Sequence, residues 1–150
     1  MDISGEFMLN GPRQLVWDTL NDPEALEKAI PGLDKLTQDG EDSFTAEMSV
    51  GVGIIRGKFV GSVQTRDKVP PQSYRLIVEG KGAAGWVKGD GMLSLAEANA
   101  DTTTVTVRGE ASVGGLLARV GQRMVRNVAN SLMKQFFQEM DKQVASAKGG

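Results

Sequence analysis

The sequence predicts an α+β fold in which a seven-stranded, curved antiparallel sheet wraps around a long C-terminal helix, with two short helices between strands 1 and 2. From residue 33 to residue 113, apolar residues alternate with polar ones, which is the period of half-buried strands. From Leu116 to Ala147 they recur at steps of three and four without a proline, which is the period of an amphipathic helix. Such a helix buries its apolar stripe only against another layer, and the strands supply that layer.

The amino-terminal part predicts one strand and then two short helices. Alternating apolar residues indicate a strand over Ile3–Leu9, which Asn10-Gly11-Pro12 ends. Pro12 and Pro23 suit the first turns of two helices, because proline fixes φ and lacks an N–H that this position does not need. Pro31-Gly32 ends the second of these helices.

The alternating region predicts six further strands that pair in sequence order. Short turns between successive strands favour antiparallel pairing, with one solvated face and one face towards the C-terminal helix. Asp39-Gly40 is a strong hairpin signal between the second and third strands. The predicted strands are Leu33–Thr37, Phe44–Val52, Ile55–Gln64, Tyr74–Gly80, Val87–Leu95 and Val105–Val113.

Composition narrows the function. The 150 residues predict a single domain, residues 1–150. Lys and Arg number 17 against 19 Asp and Glu, so the net charge of -2 gives no sign of a nucleic-acid binder or of bulk attraction to an anionic membrane. Cysteine and histidine are absent, which removes thiolate and imidazole chemistry, so neither a catalytic residue nor a metal ligand is predicted. The amino terminus lacks the pattern of a signal peptide, and a cytoplasmic protein is expected.

Six glycines fall on the inward face of the predicted sheet, where branched side chains are normally found. Glycine in a strand marks a bend, a bulge or the close approach of another group. These residues can let the sheet curve tightly, or they can leave an apolar cavity between sheet and helix, and both explanations are compatible. The six are Gly57, Gly61, Gly80, Gly89, Gly91 and Gly109.

Several side chains have two interpretations each. Tyr74 falls inward, where it either hydrogen-bonds a ligand carbonyl or packs as a core tyrosine. Trp17, on the first short helix, either plugs the core or stands at the mouth of the cavity. Trp86 falls outward and is a candidate partner contact. The basic stripe of Arg119, Arg123 and Arg126 either docks a partner or is a solvated helix face.

The order of elements resembles the helix-grip fold of the START/Bet v 1-like (SRPBCC) superfamily. Within it, the sequence is most similar to the CoxG family of carbon monoxide dehydrogenase proteins, over essentially the whole chain. The segments that carry this resemblance are Glu6-Phe7, Val16–Leu26, Ile30-Pro31-Gly32, Gly57-Lys58-Phe59 and Gly89-Asp90-Gly91.

The resemblance implies a non-enzymatic accessory protein of a molybdenum-containing carbon monoxide dehydrogenase. The family is implicated in membrane attachment of these enzymes and in their link to respiratory quinone, which implies menaquinone or ubiquinone as the hydrophobic ligand and peripheral contact with the inner face of the cytoplasmic membrane. Some members continue into a linker and a hydrophobic membrane segment, whereas this sequence stops at Lys148-Gly149-Gly150. No ligand-binding residue carries over, because the superfamily does not fix such residues by a motif.

The leading hypothesis is therefore a carrier that holds a long apolar molecule between sheet and helix, with a polar head group near Trp17. Two alternatives stay open. One is an assembly or recruitment module without a ligand, and the other is a small enzyme of the polyketide cyclase type, for which only Tyr74 is an obvious inward acid or base. The residues predicted to line the cavity are Phe59, Leu76, Val78, Val87, Leu117, Val120, Met124 and Val128.

Overall fold

The computed structural model describes residues 1–149 and contains the predicted seven-stranded antiparallel sheet. The strand order is β1-β7-β6-β5-β4-β3-β2, so each strand pairs with its neighbour in the chain and β1 joins through β7. The predicted fold class is confirmed. The elements are β1 Asp2–Leu9, α1 Arg13–Leu20, α2 Pro23–Ala29, β2 Leu33–Gly40, β3 Ser43–Val52, β4 Ile55–Val69, β5 Ser73–Gly82, β6 Gly85–Asn99, β7 Thr102–Gly114, α3 Leu116–Arg119 and α4 Gln122–Gly149.

The two short helices begin where the prolines predict. Pro23 is the first residue of α2, and the side chain of Asp22 accepts a hydrogen bond from the backbone N–H of Glu24 at 3.1 Å, which caps the helix. Just before α1, the buried hydroxyl of Thr103 donates to the backbone oxygen of Gly11 at 2.8 Å. This bond fixes the start of α1 to strand β7.

The prediction of one continuous helix from Leu116 to Ala147 is wrong. The chain forms a single turn, α3, and then breaks at Val120-Gly121 before α4 begins at Gln122. Gly121 has φ +90°, a conformation that glycine adopts without the Cβ clash other residues meet. Apolar residues keep helical spacing on both sides of the break, so the spacing alone does not reveal it.

Two hydrophobic clusters divide the interior. The first cluster packs α1 and α2 with β1, β5, β6, β7 and the second half of α4, and its fully buried side chains include Leu9, Val16 and Met140. The second cluster is centred on Ile55, Leu117 and Val128, with a larger share of half-buried residues. The apolar stripe of α4 therefore serves two different environments, a tightly packed one at its C-terminal half and a looser one at its N-terminal half.

Candidate ligand-binding site

An apolar pocket of about 270 Å³ lies in the second cluster, between the inner face of the sheet, α3 and the first half of α4. Its wall is made almost entirely of hydrophobic side chains and glycines. The sheet contributes Ala46, Met48, Val50, Ile55, Phe59, Gly61, Ser62, Val63, Val78, Glu79, Gly80, Val87 and Val113, and the helices contribute Leu117, Val125, Val128, Ala129 and Leu132.

Strand register explains why space remains here. Gly61 of β4 lies directly opposite Gly80 of β5, so two adjacent positions of the sheet carry no side chain. The same cross-strand row continues through Ala46 on one side and through Val87 and Val113 on the other. All five residues border the pocket. The floor is therefore lowest where the two glycines meet, because only backbone atoms fill that part of the row.

The inward glycines do not all serve one purpose, and each of the two explanations applies to some of them. Gly61 and Gly80 border the pocket, but a Cβ built on Gly61 would also stand 2.6 Å from the backbone oxygen of Glu79, so Gly61 permits a close approach of β4 and β5 as well. Gly109 lies opposite Gly91, and a Cβ built on Gly109 would stand 2.8 Å from the backbone oxygen of Asp90. That pair of glycines therefore permits a close approach of β6 and β7 instead of opening a space.

Of the eight residues predicted to line the cavity, five border the pocket and three do not. Val120 and Met124 are half-buried and pack against the second cluster without bordering the pocket, and Leu76 packs against the first cluster. Those that do border it are Phe59, Val78, Val87, Leu117 and Val128.

Trp17 and Tyr74 lie in the first cluster, away from the pocket wall. Trp17 is 6 % exposed and Tyr74 is 4 % exposed. Burial raises the pKa of the Tyr74 phenol. Both residues thus follow the core interpretation that the sequence left open for each.

Three wall residues of α4 were missed by the sequence prediction, namely Val125, Ala129 and Leu132. The predicted lining on this helix was Val120, Met124 and Val128. Within α4, the face that meets the pocket follows the spacing of Val125, Val128, Ala129 and Leu132, a pattern of three and four residues. This spacing is visible in the sequence and is the signal by which the three residues could have been found.

The strands that form the pocket also carry acidic residues. Glu47, Glu79, Asp90 and Glu110 all have exposed side chains. Asp90 accepts a hydrogen bond from Nε of Arg75 at 2.8 Å and a second one from its Nη2, and these bonds lower the pKa of Asp90. Among the described residues that border the pocket, Glu79 is the single ionisable one. The pocket thus has an environment for binding apolar groups and offers no buried acid or base.

Larger depressions exist elsewhere on the surface, but their chemistry differs. One of about 730 Å³ follows the β1–β7 pair and is bordered by Asp2, Glu6, Arg108 and Glu110. The pKa of Glu110 is raised, above all by a hydrogen bond with Asp2. These charged, solvent-exposed walls do not desolvate an apolar ligand, so volume alone does not identify the site.

The residues predicted to contact a partner lie near the pocket, on β6, α3 and the start of α4. Trp86 is 39 % exposed, and Nζ of Lys88 lies 5.6 Å from its ring centroid. Arg119 on α3 and Arg123 on α4 are exposed, whereas Arg126 is half-buried and donates from Nε to the backbone oxygen of Asp2 at 3.2 Å. The break at residue 121 therefore separates Arg119 from the other two arginines.

Comparison with known proteins decides the family. The family model for CoxG, a component of carbon monoxide dehydrogenase, matches residues 5–145. The chain belongs to the CoxG family. A conserved protein from Geobacillus kaustophilus, solved by crystallography, is 35% identical with a TM-score of 0.94, and the match covers 98% of this chain and 97% of that one. A search of curated proteins finds no match.

More distant structures share the fold of this CoxG-family chain. A START superfamily protein from Mycobacterium smegmatis is 14% identical with a TM-score of 0.71, covering 97% of this chain and 98% of that one. The Zhui aromatase/cyclase from Streptomyces sp. R1128 is 10% identical with a TM-score of 0.70, covering 97% and 93%. The predicted helix-grip, START-like fold is thereby confirmed. Within residues 1–149, no helix combines the length and apolarity that crossing a bilayer requires.

Proposed function

We propose that this CoxG-family domain is a non-enzymatic carrier that binds a respiratory quinone, menaquinone or ubiquinone, in the apolar pocket. In this role it is an accessory protein of a molybdenum-containing carbon monoxide dehydrogenase and links that enzyme to the electron-transport chain at the inner face of the cytoplasmic membrane. The observation that carries the proposal is the apolar pocket over the Gly61–Gly80 pair in a chain of this family.

The size of the pocket sets what it holds. Ligand pockets typically measure about 300–1,000 Å³, and this one, at about 270 Å³, lies just below that range, which leaves room for a quinone ring or the first part of an isoprenoid tail. Removing roughly 200 Å² of apolar ligand surface from water contributes about 5 kcal/mol before the costs of ordering. The rest of a long tail leaves the pocket or widens it, and the looser packing of the second cluster favours movement at this end over the first cluster.

A second candidate function is an enzyme of the cyclase type, which the shared fold of the Zhui aromatase/cyclase favours. Such an enzyme needs an acid or base next to its substrate. Tyr74, the candidate that the sequence suggested, lies in the packed first cluster and not on the pocket wall. The chemistry of the wall therefore favours the carrier.

Native mass spectrometry of the purified protein, followed by organic extraction and identification of what is released, tests the proposal. The expected result is one quinone per chain, or stoichiometric uptake when menaquinone is added to stripped protein. A folded protein that arrives empty and takes up neither menaquinone nor ubiquinone would exclude the carrier and leave the ligand-free assembly module.

A further inference from the structure

The turns at one end of the molecule converge around the pocket. The β3–β4 and β5–β6 turns, the end of β7, α3 and the start of α4 all lie at this end, because successive strands are antiparallel. We define the pocket-end surface as the exposed residues of segments 48–59, 80–88 and 111–126. Pocket wall residues occur in all three segments, among them Ile55, Val87 and Leu117.

Charge is unevenly distributed along the strands that lead to this surface. The three segments contain seven Lys and Arg residues and no Asp or Glu, although the whole chain has a net charge of -2. Glu47, Glu79 and Glu110 immediately precede the three segments, and no Asp or Glu follows them within β3, β5 or β7. The seven basic residues are Arg56, Lys58, Lys81, Lys88, Arg119, Arg123 and Arg126, of which all but Arg126 are exposed.

Large apolar side chains are exposed among these charges. Ile54 in the β3–β4 turn is 68 % exposed, and Leu116 at the start of α3 is 56 % exposed. Each directly precedes a buried residue of the pocket wall, Ile55 and Leu117 respectively. Trp86 adds an aromatic ring to the same surface. Exposed aliphatic residues at the tips of turns gain free energy only when another apolar phase covers them.

We propose that the pocket-end surface docks onto an anionic phospholipid bilayer. The exposed lysines and arginines contact lipid phosphates, while Ile54 and Leu116 enter the interfacial layer. Clustered basic residues are attracted to anionic lipid, and tryptophan favours the membrane interface. This inference rests on the proposed carrier function, because docking here would bring the pocket to the phase in which a quinone dissolves.

The observations favour a bilayer over an acidic protein surface. Charge complementarity alone would fit either occupant. Aliphatic side chains at the tips of two separate turns, however, suit a fluid apolar layer that needs no matching hollows, whereas a protein partner would need a pocket for each.

The test is cosedimentation of the stripped protein with quinone-free vesicles of phosphatidylcholine, with and without about 30% phosphatidylglycerol, at low and high salt. We expect binding to the anionic vesicles that weakens as salt screens the charges. Arg119→Glu with Arg123→Glu should lower the partition coefficient at least about 30-fold, the equivalent of two lost basic contacts. The matched control, Lys28→Glu with Lys134→Glu, changes the net charge equally at exposed positions outside the three segments and should bind as the parent does.

A second pair of variants tests the apolar contribution. Ile54→Ser with Leu116→Ser should weaken binding to anionic vesicles, whereas Met8→Ser with Val69→Ser, also exposed but outside the pocket-end surface, should not. Equal binding to neutral and anionic vesicles, or unchanged binding by the arginine variants, would overturn the proposal. Capture of the protein by an acidic protein, without binding to any of the vesicles, would also overturn it. Quinone uptake from micelles is measured on the same variants. If the carrier function is wrong, this uptake is absent whether or not the protein binds vesicles, so the two proposals are tested separately.

Discussion

Trp17 and Tyr74 meet edge to face in the first cluster, with ring centroids 5.4 Å apart and ring planes at 85°. The contact joins α1 to β5, and both side chains are buried. Edge-to-face pairs of this kind add stabilisation beyond the burial of their area. Together with the stacked rings of Phe7 and Phe137, at 4.4 Å between centroids, the pair helps to fill this half of the interior, so that the open space is confined to the other half.

The first prediction concerns the ionisation of Tyr74, the single tyrosine of the chain. Its pKa is raised by burial, so the native state keeps the phenol neutral at a pH where the unfolded chain, with a pKa of about 10, ionises. The folded state therefore binds more protons than the unfolded state above about pH 10. We expect the free energy of unfolding to fall there by up to about 1.4 kcal/mol per pH unit through this group.

Absorbance of tyrosinate measures the effect directly because no other tyrosine contributes. The native protein should show no tyrosinate signal at pH 11 until it unfolds, and Tyr74→Phe should remove this part of the pH dependence of stability. A normal tyrosine titration in folded protein would contradict the buried environment described here.

The second prediction contrasts the two ends of α4. Met140 is fully buried in the first cluster, so Met140→Ala should lower the free energy of unfolding by about 2–5 kcal/mol through lost contacts and a new cavity. Leu132 borders a space that already exists, and Leu132→Ala should cost less because fewer contacts are lost. Urea denaturation of both variants gives the comparison. Equal losses would indicate that the second cluster is as tightly packed as the first.

Local patterns were sufficient to predict the fold. Period-two alternation located every strand of the sheet, and Pro23 with Asp22 located the start of α2. Boundaries moved where tertiary pairing extended a strand, as in β2, which continues through Gly40 so that the turn falls on Glu41-Asp42. Hydrogen bonding across strands decides such ends, and a single-strand pattern does not contain that information.

The pocket was harder to predict because it depends on register between strands. That Gly61 lies opposite Gly80, whereas Gly91 lies opposite Gly109, follows only from which residues pair in space. Both pairs include a glycine, Gly61 or Gly109, that lets two backbones approach closely, and only the first pair also borders the pocket under a loosely packed helix. Part of the helical wall was missed because Met124 and Val125 both have helical spacing from Val128, and only packing against the sheet decides that Val125 borders the pocket.

The third prediction tests the close approach of β6 and β7 at Gly109. Gly109→Ala places a Cβ 2.8 Å from a backbone oxygen of β6, which must shift, so we expect a loss of about 1–3 kcal/mol in the free energy of unfolding. Gly89→Ala is the matched control in β6, because a Cβ there meets no atom within 4 Å. Its stability should be unchanged or slightly raised through the stiffer unfolded chain. Chemical denaturation measures both, and equal tolerance of the two would argue against close strand approach at Gly109.

The last prediction tests whether the pocket holds the ligand. Val128→Trp directs a large ring into the pocket from α4, and Gly80→Val fills it from the sheet, where the nearest side-chain atom to a new Cβ is 4.0 Å away. Both variants should stay folded, because existing space receives the added atoms, and both should lose quinone uptake at least about tenfold, as overlap excludes the ligand. Met124→Trp is the control, one turn earlier on the same helix and outside the pocket wall, and it should keep uptake. Circular dichroism confirms folding and quinone titration measures uptake. If Val128→Trp and Gly80→Val bind quinone as tightly as the parent, the ligand lies elsewhere on the protein, because two independent obstructions of one small space cannot both be avoided.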